Sequence, residues 1–98
     1  MTRLLTDEEI TRQLGDLLGW TRDGASLTAS YDAPDFHTAV QLIVEVCEEA
    51  KQMQHHPDVD LRWKLTHWRL PTHSAAGVTQ LDIELAHRIP HTAARTTA

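Results

Sequence analysis

Ninety-eight residues, 41% hydrophobic and 23% charged, make one globular domain with a modest core and leave no length for a second. The formal charge of −5 argues against general affinity for nucleic-acid phosphates, and no apolar run approaches the roughly 20 residues of a bilayer span. Cys47 is alone, excluding intrachain disulfides and cysteine-based zinc sites; with an acidic Met1–Ile10 segment lacking an apolar stretch, the reading is a cytoplasmic domain without a signal peptide.

Thr6-Asp7-Glu8-Glu9 fits a capping box, and Ile10, Leu14, Leu17 and Leu18 follow at helical spacing until Gly19. Trp20 to Tyr31 reads as a hairpin about Asp23-Gly24, with Leu27, Ala29 and Tyr31 alternating with Ser26, Thr28 and Ser30. Asp35 is the expected N-cap of a longer helix. Its apolar stripe is Phe36, Ala39, Val40, Ile43, Cys47, Ala50 and Met53, widened by Leu42 and Val46, enough to pack on a sheet or touch a partner subunit. Pro57 ends that helix near His55-His56.

Strand alternation resumes at Val59, Leu61, Trp63 and Leu65, and Trp68 and Leu70 continue it before Pro71. Ser74 to Gly77 is a small-residue loop. A third helix is expected from Thr79 to Ile89, burying Val78, Leu81, Leu85 and Ile89, with Pro90 ending it and residues 91–98 left as a flexible tail to a domain spanning 1–90. The order α-β-β-α-β-β-α predicts an α+β two-layer fold, a four-stranded antiparallel sheet with helices on one face.

The chemistry-bearing residues gather in the second half: His55-His56-Pro57, Thr72-His73 and Asp82. Histidine changes charge near neutral pH, so several imidazoles on one pocket can move protons to and from a substrate. Each residue also has a plainer reading. His55 and His56 can serve the negative end of a helix dipole, His73 can be a loop histidine, and Asp82 can be the acidic member of a capping box with Thr79. Trp63 and Trp68 read as core or interface aromatics, and Cys47 as a small hydrophobe rather than a nucleophile. A metal site is disfavoured because adjacent helical side chains diverge by about 100° and no H-E-x-x-H motif occurs.

Lys51-Gln52-Met53-Gln54-His55-His56-Pro57, Trp63, Thr72-His73, Ala76-Gly77-Val78-Thr79 and Asp82-Ile83-Glu84-Leu85-Ala86 together resemble the pterin-4a-carbinolamine dehydratases. Leu18-Gly19-Trp20, and Asp35-Phe36 with Ala39, extend the resemblance to roughly Leu5–Ile89. It implies a dimer or tetramer that removes water from 4a-hydroxytetrahydrobiopterin to give quinonoid dihydropterin, in tetrahydrobiopterin recycling. It also implies no metal and no organic cofactor, while the charge and the lack of an apolar run lead to the expectation of no direct nucleic-acid or membrane partner. The family's active-site histidines map to His55, His56 and His73 and its aspartate to Asp82, with Pro57, Thr72 and Trp63 beside His56 on the substrate. His55 and His73 are then the proton-transfer residues, His56 chiefly holds the pterin, and Asp82 orients an imidazole.

Lys51 departs from the family, which often carries an acid there. On a continuous helix it would face His55, where a carboxylate favours the charged imidazole and a lysine opposes it. That departure keeps a second expectation open: a catalytically weak dehydratase-like protein serving interaction, dimerisation or assembly. Relatives of this fold also act as a dimerisation cofactor for a homeodomain transcription factor.

Overall fold

A computed structural model describes residues 3–97, the side chain of Thr97 excepted. The chain runs α1 (Asp7–Leu14), β1 (Thr21–Asp23), β2 (Ser26–Asp32), α2 (Phe36–Met53), β3 (Asp58–Arg62), β4 (Leu65–Leu70), a 3-10 turn η1 (His73–Ala75) and α3 (Gln80–Thr97). Every pairing is antiparallel, in the order β1-β2-β4-β3. The expected two-layer α+β architecture is therefore present.

Local chemistry explains the helix starts. Thr6 and Glu9 form the full capping box, and Arg3 adds two bonds to the Glu9 carboxylate at 3.0 and 2.9 Å. Together the Arg3 guanidinium and the Thr6 N–H hold Glu9 down to about 2. Asp35 caps α2 through the Thr38 N–H at 2.7 Å, which keeps its carboxyl below the usual range. The pleat sorts the central strands. Leu27 and Ala29 of β2, and Thr66, Trp68 and Leu70 of β4, are buried, whereas Ser30, His67 and Arg69 lie on the open face. Ile10, Leu17, Trp20, Leu42, Val46, Ile83, Leu85 and Ile89 complete the core.

Several expectations need correction. α1 stops at Leu14, capped at Gly15; Leu17 reaches the core from a turn, while Leu18 is 92% exposed. α2 buries Ala39, Leu42, Val46 and Ala50, so the widening residues are core and much of the expected stripe faces out, with Phe36, Val40 and Cys47 exposed. On α3, Ile83 is fully buried and Leu81 only half-buried. Pro90 does not end α3: residues 91–97, expected as a tail, continue the helix, and Ala98 lies outside the described residues. Packing accounts for this. Ile89, Thr92 and Ala93 are buried, and the Thr92 and Thr96 hydroxyls donate to Glu49 and Glu45 of α2. Those contacts offset the roughly 3 kcal/mol cost of an interior proline. Among the described residues no helix is long and apolar enough to cross a membrane.

Candidate active site

His55 is delivered by the way α2 ends. Gln54 turns left-handed (φ 54°, ψ 41°), its N–H bonds to the Lys51 carbonyl at 3.1 Å, and the His55 N–H reaches back to Ala50 at 3.0 Å. That is a Schellman motif with glutamine in the place glycine usually takes. It turns the chain sharply inward, leaving His55 only 8% exposed while Lys51 stays exposed. Lys51 and His55 therefore do not share a helical face, and the expected side-by-side placement is not found.

Asp82 receives His55 from the first turn of α3. Its Oδ1 lies 2.6 Å from His55 Nε2, and its Oδ2 accepts from the Thr72 hydroxyl at 2.7 Å and the Thr79 N–H at 2.8 Å. The capping reading and the histidine-partner reading both hold, each using one carboxylate oxygen. Thr72 gives its one hydroxyl proton to Asp82, so the 2.7 Å contact between Thr72 and Thr79 must be donated by Thr79. The loop carrying both threonines is pinned by the Thr72 N–H to Gly77 carbonyl bond at 2.9 Å and by Leu5 N–H to Val78. Leu4 lies over Gly77 so closely that a Cβ there would sit 2.7 Å from the tip of its side chain, which would have to shift.

The carboxylate fixes the histidine's chemistry. Facing an acceptor, Nε2 carries the proton, so neutral His55 has its lone pair on Nδ1. No described buried side-chain nitrogen or oxygen lacks a partner, and Nδ1 has none, so Nδ1 is open to solvent or ligand. His55 therefore presents a ring-nitrogen lone pair at Nδ1, with a buried carboxylate against Nε2 on the other side of the ring.

The other expected residues divide. Thr72 is buried and supports Asp82 rather than presenting its hydroxyl to the surface. His56 is exposed and Pro57 half-buried beside His55. His73 follows Thr72 on η1, 70% exposed, with Nε2 3.8 Å from Asp58 Oδ1. These contacts close the histidines into one corner, since Thr72 touches the partner of His55 and Asp58 lies three residues beyond it. Trp63 is not brought there. It occupies the β3–β4 turn at φ 52°, 74% exposed, roughly 15 Å along β3 from Asp58 at strand rise. One residue was missed: Asp58, whose nearness to His73 spans fifteen positions and leaves no local trace. A groove of about 670 Å³ runs over the open sheet face along Thr28, Ser30, Asp60, His67 and Arg69, and meets this corner only at Asp58. Among the described residues no set of three or more His, Cys, Asp or Glu side chains is arranged for a metal.

The family model "Pterin 4 alpha carbinolamine dehydratase" matches residues 3–92. Proteins bearing that dehydratase name from Nocardia farcinica and a Roseiflexus species are 44% and 43% identical, covering 90% and 91% of this chain and 93% and 96% of their own. A crystal structure of a transcriptional coactivator/pterin dehydratase from Brucella melitensis superposes with a TM-score of 0.90 at 31% identity, over 93% of this chain and 99% of that one. A pterin dehydratase-like RuBisCO assembly factor of the alpha-carboxysome shares the fold at a TM-score of 0.62 and 11% identity, over 76% of this chain and 86% of that one. The chain belongs to the pterin-4a-carbinolamine dehydratase family.

Proposed function

We propose that this protein dehydrates a 4a-hydroxytetrahydropterin to the quinonoid dihydropterin, serving tetrahydrobiopterin recycling, by histidine acid–base catalysis. The observation that carries the reading is the buried His55–Asp82 pair with Nδ1 left open. Elimination breaks the C4a–O bond and removes the N5 proton, and the two leave as water. His55 Nδ1 takes the N5 proton, with Asp82 stabilising the imidazolium across the ring. His73 gives its proton to the departing hydroxyl, since hydroxide alone leaves poorly. Each transfer supports about 10²–10⁴ in rate. His56 and Pro57 border the pterin, Thr72 acts through Asp82, and neither metal nor organic cofactor enters this scheme.

A homo-oligomer is part of the proposal, because Phe36, Val40 and Val44 leave an apolar strip exposed on α2 that a second copy can cover. The same strip favours one other reading, an interaction or assembly protein with weak activity. The deciding experiment is the dehydration rate of freshly generated 4a-hydroxytetrahydropterin with parent protein and with His55→Ala/His56→Ala. Acceleration over the spontaneous rate that disappears in the double variant supports the enzyme. A folded parent that accelerates nothing overturns it and favours the assembly reading.

A further inference from the structure

We propose that Asp58 is the positioning residue for His73, an inference that rests on the dehydratase reading above. Asp58 opens β3 directly after His55-His56-Pro57, so one short segment supplies both the buried base and a carboxylate facing the exposed histidine. The charges around it leave that carboxylate to His73. Arg69 lies opposite Asp58 in the β3–β4 register, yet its guanidinium is drawn 2.7 Å from Asp23 on β1. Asp60, next on the same face of β3, is 3.1 Å from Arg62. His56, on the preceding segment, makes no ion pair among the described residues.

His73 needs such a hold. η1 is three residues long, its N-cap contributes no side-chain bond, and Asp58 is the one ion-pair partner of the ring among the described residues. At 3.8 Å the contact is longer than a hydrogen bond, so it is Coulombic and acts while the ring carries its proton. An acid needs that timing. The charged ring is drawn to one place before transfer, and the pull ends once the proton has gone to the leaving oxygen. Asp58 touches no reacting atom in this scheme and acts only through His73.

The test is a double-mutant cycle on the dehydration reaction, with Asp58→Asn, Asp58→Glu, His73→Ala and Asp58→Asn/His73→Ala. Asp58→Asn is expected to lower kcat roughly two- to fivefold, the range of an exposed ion pair, with KM unchanged. Asp58→Glu, one methylene longer, should restore the rate. In the His73→Ala background Asp58→Asn should cost nothing further. An unchanged kcat in Asp58→Asn, or the full loss repeated without His73, overturns the inference while leaving the dehydratase reading intact. A parent without activity defeats that reading instead, and the pairing is then decided by NMR. His73 ring signals recorded in mild acid should move in Asp58→Asn while those of His55 stay, and unmoved His73 signals overturn the pairing.

Discussion

His55 and His73 reach one corner of the molecule by opposite routes. His55 leaves a helix through a Schellman turn, is nearly sealed, and meets a fully buried carboxylate at 2.6 Å that two further donors hold in place. His73 sits on a short 3-10 turn, 70% exposed, facing a solvated carboxylate at 3.8 Å. Under the proposed mechanism, the difference lets one small fold furnish two kinds of proton-transfer group. A base that must find one ring nitrogen gains from a fixed orientation. An acid that must follow a departing oxygen and then recover a proton gains from contact with water.

If the buried arm is structural as well as chemical, Asp82→Ala should have the largest effect of any single change in the site. It strands His55 Nε2, the Thr72 hydroxyl and the Thr79 N–H together, and breaking a buried pair costs about 3–5 kcal/mol. Thermal unfolding should show a fall in Tm of more than about 10 °C, and dehydration should drop at least about 100-fold. Asp82→Asn, which keeps the shape and loses the charge, should recover more of the stability than of the rate. Equal recovery of both would remove the electrostatic role.

The exposed arm should behave otherwise. His73→Ala is expected to lower the dehydration rate by about 10²–10³ while shifting stability by no more than about 0.5 kcal/mol. Denaturant titration beside initial rates separates the two quantities. A stability loss like that of Asp82→Ala would erase the contrast between the arms.

A third variant asks whether the buried arm depends on how firmly α3 is held far from the site. Asp82 is in the first turn of that helix and Pro90 two turns further on. Pro90→Ala should restore a helical donor and raise stability by about 1–3 kcal/mol, with the dehydration rate unchanged. A rate that moves with the stability would mean that the distal half of α3 tunes the site.

How much of this was readable beforehand follows from the range of each signal. The capping box at Thr6–Glu9, the pleat of β2 and the capping spacing of Thr79 and Asp82 are local, and each appears in the structure where the residues put it, except that Ser26, expected on the polar face, is buried. Identity of the site histidines came from a many-part pattern, and the structure brings three of its members, His55, Thr72 and Asp82, into contact. What failed was decided at a distance. Ten apolar positions on α2 cover too much of the helix for periodicity to choose its inner face, and packing into the core beside α3 buries Leu42 and Val46 rather than Phe36 and Cys47. Pro90 reads as a stop until α2 supplies Glu45 and Glu49 for the threonines beyond it. Alternation ran through Trp63 because a turn with a left-handed tryptophan looks, in sequence, like two more strand residues.

Acid offers the smallest effect, because it engages an exposed ion pair, Arg3 with Glu9, at the start of α1. Glu9 is held to about 2 by the Arg3 guanidinium and the Thr6 N–H, below the usual 4.5. A carboxyl depressed on folding stabilises the native state at pH values above its unfolded value, and that contribution disappears as pH falls from about 4.5 towards about 2. Glu9→Gln retains an oxygen for the Thr6 N–H and discards the charge. Its stability should therefore fall less steeply than the parent's through this window, the two curves converging at the acid end, as followed by urea unfolding at stepped pH. Exposure to solvent keeps the difference small. Parallel curves would show that Arg3 and Glu9 contribute no acid dependence, and would assign whatever acid sensitivity the fold has to other carboxylates.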